Sequence, residues 1–108
     1  MEQLKAEHVD FDSKEARIHG ALYVPDKTPA PALIVCHGFD KRGFRGYEIF
    51  EQMAVKACQN SFISLVFDFR GCGKSSGLFG YGWDEQDDLE ATIDFLLSRP
   101  EARDDGVY

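Results

Sequence analysis

Two short runs of mostly apolar residues dominate the hydrophobic pattern of this chain. The first covers residues 32–36, is preceded by Pro29 and Pro31, and is followed by Gly38. The second covers residues 62–67 and follows the polar pair Asn60-Ser61. Short apolar runs bounded by helix-breaking or turn residues are typical of strands that are buried on both faces. Both runs are therefore predicted to be central strands of a sheet.

Between the two runs, the apolar positions have helical spacing. A helix is predicted from about Tyr47 to Gln59, with one apolar stripe made of Tyr47, Phe50, Ala54, Ala57 and Cys58. Strand, helix and strand in this order predict a βαβ unit whose two strands are parallel neighbours. A second helix is predicted from about Asp84 to Leu97. Its acidic first turn suits the helix dipole, and its predicted buried face consists of Leu89, Ile93, Leu96 and Leu97.

Polar and apolar residues alternate before the first run. This alternation predicts a β-hairpin with strands over residues 8–11 and 18–24, joined by a turn at residues 12–15. Residues 104–108 are predicted to be a turn and the start of a further strand. The predicted fold class is therefore α/β: a mostly parallel sheet with helices on both faces, the hairpin at one side and the two apolar strands adjacent at the centre.

Composition limits the size and the surroundings of this fold. The 108 residues support one small domain, and a hydrophobic fraction of 44% is enough for a core. The formal net charge of −7 argues against nucleic acid and anionic membrane surfaces as partners, and no segment has the ~20 apolar residues of a membrane span. No signal peptide is recognisable, and the scattered cysteines favour reduced thiols, so a cytoplasmic location is predicted.

Chemistry is expected in the loops that follow the two central strands, because open α/β sheets bind ligands at the carboxyl ends of their strands. The first loop begins with His37-Gly38-Phe39, and the second, residues 68–75, is rich in glycine. Ser75 lies in a literal G-x-S-x-G pattern, but residues 70–74 separate it from the strand and no helix follows directly, so it is not predicted to be a nucleophile. No cofactor is predicted, since neither the glycine spacing nor any set of ligating side chains fits a nucleotide or metal site.

The segments GALYVP, PALIVCHGF and FISLVFDFRGCGKSSG, with the acidic-fronted helix after them, resemble the N-terminal portion of an α/β-hydrolase. The similarity is greatest to serine hydrolases of the esterase and serine aminopeptidase-like branch. The resemblance implies that the loop after the third strand gives one backbone N–H to the oxyanion hole, and in this sequence that donor is Phe39. His37 and Gly38 then shape the turn, and His37 is not the catalytic base. The supporting residues of the second loop are Asp68, Arg70, Gly71 and Gly73.

The resemblance further implies a partial domain, residues 1–108, that ends before the nucleophile elbow. The nucleophile, acid and base would follow downstream. One predicted function is therefore the N-terminal part of a hydrolase that cleaves a small-molecule ester or amide by acyl transfer, with this chain inactive by itself. The alternative is a non-catalytic truncated or split chain that works by pairing with another chain. In the resembled strand order 1-2-4-3-5, strand Leu33–Cys36 would lack its fifth-strand neighbour, so self-association or a C-terminal complement is expected there.

Overall fold

The computed structural model describes residues 6–38 and 40–108. Their elements are five strands, two α-helices and a single 3₁₀ turn at Gly43–Gly46. The strands are β1 (Glu7–Ser13), β2 (Ala16–Tyr23), β3 (Ala30–Cys36), β4 (Ile63–Phe67) and β5 (Ala102–Val107), and the helices are α1 (Glu48–Gln59) and α2 (Glu85–Leu97). The hairpin, both central strands and both helices therefore form where the hydrophobic pattern predicts them.

The strands form one sheet in the order β1-β2-β4-β3-β5. β3 and β4 are parallel neighbours, in register from Ala32 opposite Ile63 to Cys36 opposite Phe67, as predicted. β2 is antiparallel both to β1 and to β4. The predicted α/β class is confirmed, but the sheet is mixed and not mostly parallel, since two of its four strand pairs are antiparallel. The cause is that the second hairpin strand pairs directly with the central strand β4 and so brings antiparallel pairing into the middle of the sheet.

The edge of β3 that was expected to be open is covered by β5. The Tyr108 N–H donates to the Ala32 carbonyl at 2.8 Å, and the Ile34 N–H donates to the Tyr108 carbonyl at 2.7 Å. The prediction that β3 lacks a neighbour on this side is therefore wrong, since β5 and Tyr108 are bonded to it as far as Ile34. The hydrophobic pattern does not indicate most of this strand, because residues 103–105 are polar. Charged residues are nevertheless common on outer strands, since they discourage edge-to-edge pairing. Self-association of the chain stays a prediction, without this strand as its basis.

The two helices pack on opposite faces of the sheet, as predicted. Leu96 of α2 belongs to the cluster that contains Leu65 of β4. Ala54 and Cys58 of α1 belong to a second cluster that contains Val66 of the same strand. Because successive strand residues point to opposite faces, the adjacent positions 65 and 66 place the helices on the two sides of the sheet.

The buried face of α2 differs from the predicted one. Its buried residues are Glu85, Asp88, Thr92 and Leu96, whereas Leu89 and Leu97 are each 37% exposed. These four buried positions have the spacing of one helix face, but three of them are polar. A polar residue can replace an apolar one in a core when its hydrogen bonds are made there. Of the predicted face, Leu96 is buried and Ile93 is half-buried, but hydrophobicity alone missed the three polar residues.

Candidate active site

The candidate site lies where β3 and β4 end side by side. Cys36 and Phe67 are opposite each other in the parallel pair, so the segments that begin at His37 and at Asp68 leave the sheet together. Phe39, the predicted oxyanion donor, lies outside the described residues. The residues on both sides of position 39 are described, and their contacts define how this loop is held.

His37 anchors the first side of position 39. Its Nε2 accepts the Phe69 N–H at 3.0 Å, and its Nδ1 contacts the carbonyl oxygen of Gly38. This pair of contacts requires the tautomer that carries its proton on Nδ1 and donates it to Gly38. The imidazole is 5% exposed. Because both ring nitrogens are engaged in holding the turn, the arrangement agrees with a shaping role for His37 and not with that of a free general base.

Asp68 anchors the second side of position 39. Its carboxylate is completely buried and accepts the Phe44 N–H at 2.8 Å and the Lys74 N–H at 3.0 Å. Gly43 and Gly73 enclose it with φ of +72° and +50°, and a Cβ on either glycine would overlap the carboxylate. Glycine is needed at both positions, for the left-handed backbone and for the space. One side chain thus holds the loop after β3 against the loop after β4.

Asp40 closes the turn between these anchors. Its carboxylate accepts the Arg42 N–H and pairs with the Arg42 guanidinium, both at 2.9 Å, and these bonds lower the pKa of Asp40. The Asp40 carbonyl accepts the Gly43 N–H at 2.9 Å, and the Lys41 carbonyl accepts the Gly73 N–H at 2.7 Å. Position 39 therefore lies between two segments that are both bonded to the loop after β4.

Arg70 braces this loop from the α2 face of the sheet. Its backbone N–H and its guanidinium both donate to Asp88, with the guanidinium–carboxylate distance at 2.8 Å. The Asp88 bond raises the pKa of Arg70. Ser13 at the end of β1 donates its hydroxyl to the same carboxylate at 2.6 Å. Arg70 therefore joins β1, the loop and α2 through its contacts with Asp88 and Ser13.

Ser75 is held inside the loop and not presented to a substrate. Its Oγ donates to the Asp68 carbonyl at 2.6 Å and accepts the His19 N–H at 2.9 Å, and the residue is 8% exposed. No helix starts at this serine in the described residues, since α2 begins only at Glu85. Ser75 is therefore not at a turn directly between a strand and a helix.

Glu85 is a site residue that the sequence analysis missed. Its buried carboxylate accepts the Gly80 N–H at 2.7 Å and the Gly82 N–H at 2.8 Å. These bonds shape residues 77–84, which we call the aromatic loop. Gly71, with φ of +73°, lets the backbone of this loop come so close that an added Cβ would lie 2.6 Å from the Phe79 nitrogen. The sequence signal for this contact is the pair of glycines shortly before Glu85. The sequence analysis related the acidic residues of this turn only to the helix dipole.

Two cavities open at this edge of the sheet. One, of about 170 Å³, is lined by His37, Gly38, Phe69, Phe79, Gly82 and Glu85. The other, of about 70 Å³, is lined by Asp40, Lys41, Gly71, Cys72, Phe79 and Tyr81. Burial raises the pKa of the Cys72 thiol, which opposes formation of a reactive thiolate there.

Two other classes of site can be examined in residues 6–38 and 40–108. This part of the chain has no group of three or more histidine, cysteine or carboxylate residues placed to hold a metal ion. Neither of its helices has the length and apolar character that crossing a membrane requires.

His19 lies on the hairpin. Its Nδ1 contacts Asp10 at 3.1 Å, and its Nε2 is buried without a hydrogen-bond partner among the described residues.

Comparison with known proteins supports the topology. A family model described as X-Pro dipeptidyl-peptidase (S15 family) matches residues 12–106. No curated protein sequence matches the chain. Among solved structures, an α/β serine hydrolase without a lid from Xanthomonas campestris has a TM-score of 0.75 and 23% identity over 89% of this chain and 46% of its own.

Two further structures give the same result. A putative α/β-hydrolase from Agrobacterium tumefaciens has a TM-score of 0.75 and 27% identity over 85% of this chain and 43% of its own. An esterase from Pyrococcus furiosus has a TM-score of 0.75 and 24% identity over 91% of this chain and 39% of its own. The chain therefore spans less than half the length of each of these proteins.

Proposed function

Because this chain belongs to the X-Pro dipeptidyl-peptidase (S15) family, we propose that it is the N-terminal part of a serine hydrolase that cleaves an ester or amide by acyl transfer. In this proposal the backbone N–H of Phe39 is one oxyanion donor. The nucleophile, acid and base come from polypeptide that follows the fifth strand. The 108-residue chain alone is inactive, because catalysis of this kind needs a nucleophile and a base within hydrogen-bond reach of each other.

The observation that carries the proposal is the way the flanks of position 39 are held. His37 is bonded to Phe69, and Phe44 is bonded to Asp68, so the two flanks are anchored to two adjacent residues of the neighbouring loop. A backbone donor must be fixed in advance to stabilise an oxyanion, since a donor that has to reorient loses much of the benefit. The family name is that of a peptidase and one similar structure is that of an esterase, so both amide and ester substrates are included.

The first test is to read the coding sequence beyond Tyr108. The proposal expects a G-x-S-x-G segment within a few residues, in a setting of strand, sharp turn and helix. The extended polypeptide should hydrolyse a generic activated ester such as p-nitrophenyl butyrate, whereas residues 1–108 alone should not. Serine-dependent burst turnover by residues 1–108 that is lost in Ser75→Ala would overturn the proposal.

The second test addresses Phe39 in the extended polypeptide. Phe39→Pro removes the backbone N–H, and loss of one oxyanion donor lowers kcat by roughly 10²–10³. Phe39→Leu keeps the N–H and is the matched control, which should retain much of the activity. Full turnover by a normally folded Phe39→Pro variant would show that the oxyanion assignment is wrong.

A cytoplasmic location and a C-terminal complement are also part of this proposal. The reduced-thiol composition supports the first. The partial coverage of the similar structures supports the second.

The alternative is a non-catalytic chain that acts only by pairing with another chain. It predicts that no elbow serine follows Tyr108 and that the chain is isolated together with a partner. Light scattering of the purified chain at micromolar concentration separates a monomer from a self-associated form.

A further inference from the structure

The aromatic loop, residues 77–84, places large apolar side chains in solvent. Leu78 is 87% exposed, Tyr81 is 84% exposed and Trp83 is 80% exposed. Single exposed apolar residues are common on protein surfaces, but several on one short loop usually mark a binding surface. The loop is next to the candidate active site in the chain and in space, because Phe79 and Gly82 line the same cavity as His37 and Gly38.

This presentation is enforced by buried polar contacts. The Glu85 carboxylate, 7% exposed, is used to bind the Gly80 and Gly82 N–H groups. The Trp83 N–H donates to the Gly80 carbonyl at 3.1 Å, and the Gly71 N–H donates to the Ser76 carbonyl at 2.9 Å. Burying a carboxylate is costly unless hydrogen bonds compensate it. The buried Glu85 carboxylate therefore holds this loop in a shape that leaves the Leu78 and Trp83 side chains exposed to solvent.

The chemistry of the adjacent cavity selects the kind of group that can enter it. The ring nitrogens of His37 are engaged with Phe69 and Gly38, and the oxygens of Glu85 are engaged with Gly80 and Gly82. Among the described residues that line this cavity, none is a lysine or an arginine. An anionic group would enter beside the Glu85 carboxylate without a counter-charge, which is unfavourable in a partly desolvated site. The cavity volume of about 170 Å³ is several times the ~30 Å³ that one water molecule occupies in the liquid.

We propose that the aromatic loop is one wall of the substrate cavity and selects substrates that place there an apolar group without negative charge, of the size of an aromatic ring or a short aliphatic chain. This inference rests on the proposed function. This apolar group packs against Phe79 and Gly82 inside the cavity. Leu78 and Trp83, their exposed neighbours in the chain, provide further apolar surface on the same loop. The apolar surface supplies affinity, while the oxyanion contact is the role proposed for the Phe39 N–H.

The test uses the chain as it is, because Trp83 is its only tryptophan and so reports on this loop alone. The purified chain is titrated with 4-phenylbutanamide, an unreactive neutral amide, and separately with succinamate, which carries a carboxylate. We expect a saturable change in tryptophan emission, with amide shifts at residues 79–83 in NMR spectra, for 4-phenylbutanamide only. Leu78→Ser should weaken the apparent Kd about tenfold, as loss of one apolar side-chain contact does.

The matched control is Ile49→Ser, which removes an apolar side chain that is 53% exposed on α1, and it should leave the Kd unchanged. Circular dichroism of both variants checks that the fold is retained. No saturable response, an equal response to succinamate, or an equal loss in Ile49→Ser would overturn the proposal. So would an emission change that follows protein concentration together with a dimer mass, since a second copy would then cover the loop. Binding needs no triad, so this result is independent of whether the extended polypeptide is a hydrolase.

Discussion

Asp68 and Asp88 are both completely buried carboxylates, but they are stabilised by different kinds of donor. Asp68 is bonded by two backbone N–H groups, those of Phe44 and Lys74. Asp88 is bonded by the guanidinium and backbone N–H of Arg70 and by the hydroxyl of Ser13. The first carboxylate therefore connects two loops at the candidate site, whereas the second forms an ion pair between α2 and the loop after β4, to which β1 is also bonded.

The difference predicts what happens when either carboxylate is removed. Without Asp88, the Arg70 charge would be buried and unpaired, and an uncompensated charge is the most costly group a core can contain. Without Asp68, two neutral N–H groups would lose their acceptor, which costs less and can be relieved by water or by movement of the loops. The ion pair is thus expected to matter most for stability, and the backbone-bonded carboxylate for the position of the loops.

Asp88→Ala should have the largest effect. Breaking a buried ion pair by removing one partner lowers the free energy of unfolding by ~3–5 kcal/mol. Urea denaturation measures this change. Asp87→Ala is the matched control, because Asp87 is adjacent but pairs at 3.2 Å with the exposed Lys14, a kind of pair worth at most ~1 kcal/mol. Equal losses in the two variants would contradict the comparison.

Asp68→Ala should have the next largest effect. Two backbone N–H groups lose their acceptor, and the expected loss in the free energy of unfolding is ~1–3 kcal/mol. Amide hydrogen exchange should be faster at Phe44 and Lys74, and the change at these amides should exceed that in the centre of the sheet. Asp68→Asn keeps one acceptor oxygen, so it should protect one of the two amides. Unchanged exchange at both amides in Asp68→Ala would show that this carboxylate does not hold the loops.

Features that depend on interactions between residues close in sequence were predicted more accurately than features that depend on distant residues. The central strands and both helices were located to within two residues, because their apolar spacing is local. The resemblance to an α/β-hydrolase, carried by the His37-Gly38-Phe39 motif and the glycine-rich loop, is confirmed by the family model and by the topology. The polar residues of the buried face of α2 were missed because the partners of Asp88 are far away in sequence, Ser13 lying 75 positions earlier.

The remaining differences also come from distant partners. β5 contains two adjacent aspartates and was recognised only at its end, since its formation depends on the free edge of β3 and not on its own residues. The sequence located the candidate site in two loops. It did not predict that Asp68 reaches Phe44, 24 positions earlier, because the left-handed backbone of Gly43 that permits this contact has no signal beyond the glycine itself.

Ser75→Ala should have a smaller effect than either aspartate variant. Its hydroxyl connects the Asp68 carbonyl with the His19 N–H, and its loss should lower the free energy of unfolding by ~1 kcal/mol. Ser76→Ala is the control, because Ser76 is exposed and accepts only the Arg17 N–H among the hydrogen bonds described for its side chain. Any ester turnover of the extended polypeptide should be unchanged in Ser75→Ala. A loss of turnover without a loss of stability would return Ser75 to consideration as a nucleophile.

Asp40 should show the smallest effect and a dependence on pH. Its hydrogen bonds with Arg42 lower the pKa of Asp40 in the folded chain. The stabilisation is therefore complete above the ordinary aspartate pKa and is lost as the pH falls through the lowered folded value. The difference in stability between the parent chain and Asp40→Asn should be constant near neutral pH and shrink in acid. Urea titrations from neutral to strongly acidic pH measure it, and a difference that persists at the lowest pH would contradict the role of this pair.

The cluster of Ser13, Arg70 and Asp88 also has a kinetic consequence. Its members come from three segments that are distant in the chain, so the cluster can close only after the hairpin, the loop and α2 have come together. Contacts that form after the folding transition state change the unfolding rate and leave the folding rate almost unaltered. Asp88→Ala should therefore lose its stability through faster unfolding in stopped-flow measurements. The buried ion pair would then form late in folding and determine the lifetime of the folded state.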